Sequence, residues 1–153
     1  MSAVLIRAYD DSDWAALCRI HDAARLDELR DSAGLDAFLT LEQTAEGEGL
    51  FDGLLWVAET DGVVTGFVAL DGDEITWLYV DPAHYRHGIG RALLRHALAH
   101  AGDSAQVTVL DGNPHALALY RSEGFVVRET RTGRLAGNER FTATGHIMRR
   151  QSG

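Results

Sequence analysis

Glu74-Ile-Thr-Trp-Leu-Tyr-Val-Asp-Pro-Ala-His-Tyr-Arg-His-Gly-Ile-Gly-Arg-Ala-Leu-Leu94 is the stretch that decides the reading. A strand runs from Glu74 and ends in Asp81-Pro82. A loop turns, and Arg86-His87-Gly88-Ile89-Gly90-Arg91 opens a helix. Glycines let a ligand approach the backbone closely. The first turn of a helix carries free N–H groups and the positive end of the helix dipole. Together these make an anion site suited to a pyrophosphate, which Arg86 and Arg91 can supplement. The plainer alternative is an ordinary helix entry with two turn glycines.

Working outward, the helix carries Ile89, Leu93, Leu94, Ala97 and Leu98 on one apolar face and stops at Gly102. Upstream, Leu54–Glu59 and Val63–Leu70 read as strands joined by the turn signal Asp61-Gly62. Asp71-Gly72 is a second such signal, leading into Glu74–Val80. Val4–Ala8 reads as a first strand. Asp11-Ser12-Asp13 offers caps for a helix running to about Leu29, with Trp14, Leu17, Cys18 and His21 at helical spacing. A second helical piece covers Leu35–Thr44, followed by an acidic, glycine-rich loop, Glu46–Gly53. Downstream come a strand at Gln106–Leu110, a helix from Pro114 or His115 to Ser122, and strands at Val126–Thr130 and Phe141–Arg149. The order βααβββαβαββ argues for an α/β (α+β) chain: one mixed sheet of about seven strands flanked by about four helices.

The chain has 153 residues, 46% apolar and 24% charged, which suits one globular domain over residues 1–153. No apolar run approaches the ~18 residues of a membrane span, and the N-terminus turns acidic where a signal peptide would stay apolar. The expectation is therefore a cytoplasmic protein without a membrane partner. One cysteine, Cys18, excludes an intrachain disulfide framework and a Cys-rich zinc site. Twenty-three acids face 14 bases, for a net charge of −9, and every base is arginine. An acidic surface repels phosphate backbones, which argues against nucleic acid as a partner and favours cationic substrates. The absence of lysine rules out a lysine Schiff base and a P-loop lysine.

The segment Tyr85-Arg86-His87-Gly88-Ile89-Gly90 resembles the Q/R-x-x-G-x-G/A loop of the GNAT superfamily of acetyl-coenzyme A-dependent N-acetyltransferases. Both glycines match; Tyr85 stands at the Gln/Arg position, with Arg86 one place later. A second block begins 25 residues after Gly88: Asn113-Pro-His-Ala116-Leu-Ala-Leu-Tyr120-Arg-Ser-Glu-Gly124-Phe125. It is similar to the family's N-x-x-A-x-x-L-Y-x-x-x-G-F signature at every defining position. The resemblance implies a mostly antiparallel, GNAT-like sheet and acetyl transfer to a primary amine in a ternary complex. It also implies an acetyl-coenzyme A site between the strands Glu74–Val80 and Gln106–Leu110. There the pantetheine would meet backbone at Leu78, Tyr79 and Val80. The pyrophosphate would sit on Arg86, His87, Gly88, Ile89, Gly90 and Arg91 beside Tyr85, with Asn113, Ala116 and Tyr120 on the adjoining helix. The family occurs as monomers and as homodimers, and no stretch of this sequence identifies an interface.

Two residues stand out for catalysis. Transfer of acetyl from a thioester releases a thiolate, which leaves more readily when protonated. A phenol with a pKa near 10 can supply that proton, and the resemblance puts Tyr120 in this role. The amine must lose a proton to attack. Glu74 lies 14 residues before Gly88, the spacing of the glutamate base in the family's histone-acetyltransferase branch. Asp111, Glu139 and water remain alternatives. The plain readings are a core tyrosine and a solvated strand-start acid.

His96 and His100 have metal-ligand spacing, but no third ligand accompanies them, so a solvated helix face is expected and no metal. His84, His87 and His115 border the proposed coenzyme site. Cys18 reads as a core residue. A dinucleotide-binding oxidoreductase fits poorly, since Leu93 occupies the third-glycine position and no second βαβαβ half follows. A non-catalytic acyl-coenzyme A sensor would carry the same loop. The acceptor is expected to be set by Glu46–Gly53, the first two helices and Thr132–Arg140, a connection between the last strands. Their acids Glu46, Glu48, Asp52 and Glu139 suit a cationic amine.

Overall fold

A computed structural model describes residues 3–151. Val4–Ala8 (β1), Leu54–Thr60 (β2), Val63–Asp71 (β3) and Glu74–Val80 (β4) pair antiparallel in sequence order. The Asp61-Gly62 turn, with φ of 53° and 78°, has the handedness that two-residue hairpins favour. Gln106–Leu110 (β5) then lies parallel to β4, and Phe125–Leu135 (β6) and Asn138–Arg150 (β7) complete the order β1-β2-β3-β4-β5-β7-β6. Every other neighbouring pair among the described residues is antiparallel. This is not the parallel, doubly wound sheet that a dinucleotide fold requires.

Side-chain alternation along the strands gives the sheet two apolar faces. Trp56, Val68, Leu70 and Ile75 face the helix Ile89–Leu98 (α3) together with Tyr120 of Pro114–Ser122 (α4). Val57, Phe67, Ala69 and Trp77 face Leu17 and Ile20 of Trp14–Arg30 (α1) and Leu41 of Leu41–Thr44 (α2). The contact of α3 with β3 is close at Gly66, where a Cβ would stand 2.9 Å from Leu93 Cδ1.

Three local features differ from the expectation. The cap before α1 comes from Asp10, whose side chain accepts from Ser12 N at 2.9 Å and leads a short 3-10 turn over Asp11–Asp13. The segment Leu35–Thr44 is a 3-10 turn, Leu35–Ala37, an extended break at Phe38, and then α2. Thr40 and Gln43 form a reciprocal capping box that starts a new helix, at 3.2 Å and 2.8 Å, instead of continuing the old one. Thr132–Arg140 is not a loose connection. β6 and β7 pair through Gly133↔Ala143 and Arg134↔Thr142 as far as Leu135↔Asn138. The hairpin tip folds back onto the helical layer. Leu135 is buried with Leu29 and Ala37, and Asn138 Nδ2 donates to the Ala37 carbonyl at 3.0 Å.

Candidate active site

β4 and β5 pair at Glu74↔Gln106 and Ile75↔Val107 and then part. Above that point β4 keeps its antiparallel partner β3 on one side only. Tyr79 lies opposite Phe67, and Asp81 N donates to Thr65 O at 2.8 Å. Residues 79 and 81 therefore turn their backbone groups to β3. By the two-residue alternation of an antiparallel ladder, Leu78 and Val80 turn theirs to the gap left by β5. A strand edge with free N–H and C=O groups at Leu78 and Val80 suits an extended amide-bearing chain such as pantetheine. Tyr79 differs from the expectation, because its backbone belongs to β3.

The gap opens towards the loop before α3. Arg86 has a φ of 68° and Gly88 one of 77°, a conformation that glycine adopts without strain. The first N–H bonded back into α3 is that of Ala92, to the Gly88 carbonyl at 3.0 Å. The N–H groups of Gly88, Ile89, Gly90 and Arg91 precede the helix's own acceptors and are left without partners within α3, as an anion site would require. Arg86 is exposed and makes no ion pair among the described residues, so its charge is available to an anion. Arg91 is not: its guanidinium donates to Ser122 Oγ at 2.9 Å and Glu123 Oε2 at 2.8 Å. Tyr85 directs its phenol to Asp27 of α1. His87 is exposed beside His84, and the Ile89 side chain is buried in the core.

The signature block forms α4 and its cap. Asn113 caps α4, its Oδ1 accepting from Ala116 N at 3.3 Å, so one motif residue is explained by helix capping. Tyr120 is 5% exposed and packs edge-on against Phe125. No group among the described residues hydrogen-bonds its hydroxyl. Burial, and then the Glu28 carboxylate, push this phenol up from its ordinary value, so it stays protonated at neutral pH.

Glu28 lies on the other side of the sheet, where α1, β4 and the β6–β7 tip enclose a cleft of about 560 Å³. His21, Arg25, Glu28, Trp77 and Tyr79 line it, as do Glu74, Thr108 and Arg131. Tyr79 Oη donates to Glu28 Oε1 at 2.7 Å, and Arg25 Nη1 is hydrogen-bonded to the same oxygen. Burial and the adjacent carboxylate hold the Tyr79 phenol well above its ordinary value. His21 is buried, its ring 5.0 Å from that of Tyr79, and burial lowers its pKa despite a 2.9 Å contact with Asp22.

Glu74 is exposed at the start of β4, where the strands still pair. Of the acids expected around the acceptor, Glu48 and Glu74 reach the cleft wall, whereas Glu46, Asp52 and Glu139 are not among its lining residues. Asp111 is exposed and accepts from His146 at 3.1 Å. His96 and His100 do not form a free polar face: both rings pack on Trp56, at 5.0 and 4.9 Å. Among the described residues no cluster of three metal-ligating side chains occurs, and no helix is long and apolar enough to cross a membrane. Cys18 is half-buried, and burial raises its thiol pKa.

Residues 51–127, half of the chain, match the family model of the acetyltransferase (GNAT) domain. The chain belongs to the GNAT family. Two curated relatives are similar to it over about half of their own length. One is the peptidyl-lysine N-acetyltransferase YjaB of Salmonella typhimurium, 38% identical over 74 residues, or 48% of this chain and 50% of that protein. The other is the N-alpha-acetyltransferase RimI of Mycobacterium tuberculosis, 43% identical over 83 residues, or 52% and 49%. Among solved structures, yncA of Salmonella typhimurium with its cofactor acetyl-CoA superimposes with a TM-score of 0.71 at 26% identity, covering 97% of this chain and 94% of that one. The antiparallel sheet with one parallel splay is thus the GNAT arrangement, as the two sequence blocks imply.

Proposed function

We propose that the protein moves an acetyl group from acetyl-coenzyme A to a primary amine. The observation that carries this reading is the parting of β4 from β5, which leaves Leu78 and Val80 with free backbone groups directly before a phosphate-type loop. Leu78 and Val80 hold the pantetheine arm, and the Gly88–Arg91 N–H groups with Arg86 hold the pyrophosphate. Asn113, Ala116 and Tyr120 wall the groove from α4. The coenzyme supplies an acetyl thioester. Tyr120 gives its phenolic proton to the departing sulfur and regains one from the amine nitrogen.

The acceptor enters from the cleft bounded by α1, β4 and the hairpin tip. It arrives as an ammonium and must lose a proton to a carboxylate or to water. Glu74 on the cleft wall is the carboxylate singled out by its spacing from Gly88. The names of the relatives, one acting on peptide lysine and one on an N-terminal amine, put peptide amines first among the acceptors to test. The experiment is release of coenzyme A from acetyl-coenzyme A in a panel of lysine peptides, peptide N-termini, amino acids and polyamines. Acceptor-dependent release supports the reading. Tight coenzyme binding with no release for any amine would leave a binding module.

A further inference from the structure

We infer that Glu28, through its free oxygen Oε2, is the group that binds the acceptor ammonium and takes its proton. This rests on the proposed acetyl transfer and adds the atom at which the amine is received.

The placement begins with α1. Leu17, His21, Ala24 and Glu28 recur at spacings of four, three and four along the helix, so Glu28 continues the stripe that faces the sheet. An acid on such a stripe is desolvated unless something holds it. The holding groups here are Tyr79 Oη, at 2.7 Å, and Arg25 Nη1. Both are bonded to the same oxygen, Oε1. Oε2 has no hydrogen-bond partner among the described residues, and the side chain is 21% exposed, towards the cleft. A carboxylate fixed by one oxygen and open at the other presents a directed acceptor for an N–H⁺ donor.

The location suits the reaction. Tyr79 belongs to the part of β4 beyond its last pairing with β5, so Glu28 stands over the splay and not over closed sheet. Tyr120 approaches the same gap from the opposite face, and its phenol senses the Glu28 carboxylate. The two groups that an acetyl transfer needs, one taking a proton and one giving it, thus come from opposite faces of the sheet. Glu74 lies five residues down β4 from Tyr79, about 16 Å along the strand.

The proton step is simple. One N–H bond of the ammonium breaks, one O–H bond forms at Oε2, and the amine keeps the electron pair with which it attacks. The proton then passes to water in the cleft. The charged and titratable groups facing Glu28 are Arg25 and His21 on its own helix, Tyr79 on β4, Tyr85 on the loop and Tyr120 on α4. The three phenols are raised above their ordinary value and stay neutral across the working range.

The test has two arms. In the first, the protein without coenzyme is titrated with ethylammonium chloride, against sodium chloride as ionic control, and followed by amide and side-chain NMR. Shifts at Glu28, Tyr79 and Arg25 are expected in wild type and are lost in Glu28→Gln. Equal shifts in both proteins would overturn the proposal, whether or not any acceptor is ever acetylated. In the second arm, kcat/KM for the best acceptor is measured from pH 6 to 10 in Glu28→Gln and Glu74→Gln, with coenzyme affinity checked by calorimetry. Glu28→Gln is expected to lose about 100-fold at neutral pH and to recover much of it as free amine accumulates, with coenzyme affinity unchanged. Loss and recovery in Glu74→Gln, with Glu28→Gln like wild type, would overturn the assignment while leaving acetyl transfer intact.

Discussion

Arg91 in the first turn of α3 donates to Glu123 Oε2 at 2.8 Å, and Arg95 one turn later donates to Oε1 of the same carboxylate at 2.6 Å. Glu123 follows the last residue of α4, and its side chain is only 9% exposed. The pair of arginines therefore fastens the helix that carries the phosphate loop to the helix that carries Tyr120. This is also why Arg91 is not a free cation at the loop.

Hydrogen bonding from Arg95, with help from Arg91, lowers the Glu123 pKa below the ordinary carboxylate range. Its contribution to stability is present above the unfolded-state value and is lost as pH falls through the lower folded-state value. Glu123→Gln is expected to cost about 1 kcal/mol at pH 7, since both arginines are substantially exposed. The cost is smaller at about pH 3, below the ordinary carboxylate value, because the wild-type stabilisation falls away as the lowered folded-state pKa is approached. Urea unfolding of both proteins at the two pH values checks this. A difference that does not change with pH would assign the effect to packing.

Gly90 is the place to test the loop without breaking the fold. A Cβ there would meet Val80 Cγ2 at 3.6 Å and Leu119 Cδ2 at 3.7 Å, ordinary contact distances. Gly88, by contrast, has positive φ, and any side chain there strains the backbone. Gly90→Val should therefore fold, while its branched side chain crowds the N–H groups at the start of α3. Coenzyme A affinity is expected to fall at least about 10-fold, which corresponds to about 1.4 kcal/mol. Calorimetric titration of the folded variant decides it, and an unchanged Kd would remove the loop from the binding site.

The elements that bound the proposed coenzyme groove were legible in the sequence because backbone geometry encodes them. The Gly88-Ile-Gly90 loop and the Asn113–Phe125 block announce a helix entry and a capped helix, and both lie where expected. The cleft proposed for the acceptor was less legible. Glu28 and Arg25, three residues apart, carry the spacing of an ordinary surface pair. The signal that distinguishes Glu28 is its place on the Leu17, His21, Ala24 stripe. The long β6–β7 hairpin was hidden because Arg131, Thr132 and Arg134 are polar and exposed on an outer strand. Its burial at Leu135 depends on contacts with Leu29 and Ala37, more than 95 residues earlier, which no local pattern records.

Asn113 separates capping from ligand binding. Its Oδ1 holds Ala116 N, so Asn113→Ala removes a helix cap and is expected to lower stability by about 1 kcal/mol. Asn113→Asp keeps the accepting oxygen and should restore most of that loss. Thermal or urea melts of the two variants check the cap. If the aspartate variant is stable but binds coenzyme A more weakly, the amide nitrogen or the neutrality of the side chain also serves the ligand.

Tyr120→Phe isolates one proton. The ring is buried against Phe125, and the hydroxyl has no hydrogen-bond partner among the described residues. Removing that oxygen leaves the packing in place, so stability should change by less than about 0.5 kcal/mol. Coenzyme affinity should persist, because the groove wall keeps its shape. Turnover should fall by about 10- to 1000-fold if the phenol protonates the leaving sulfur. Burial and the Glu28 carboxylate hold the wild-type phenol protonated well into the alkaline range. The wild-type kcat should therefore show no loss of a catalytic acid before about pH 10. Single-turnover kinetics at saturating acetyl-coenzyme A read the chemical step directly. A variant that loses coenzyme affinity and turnover in the same proportion would make Tyr120 a groove-lining residue. One that turns over at the wild-type rate would assign protonation of the sulfur to solvent.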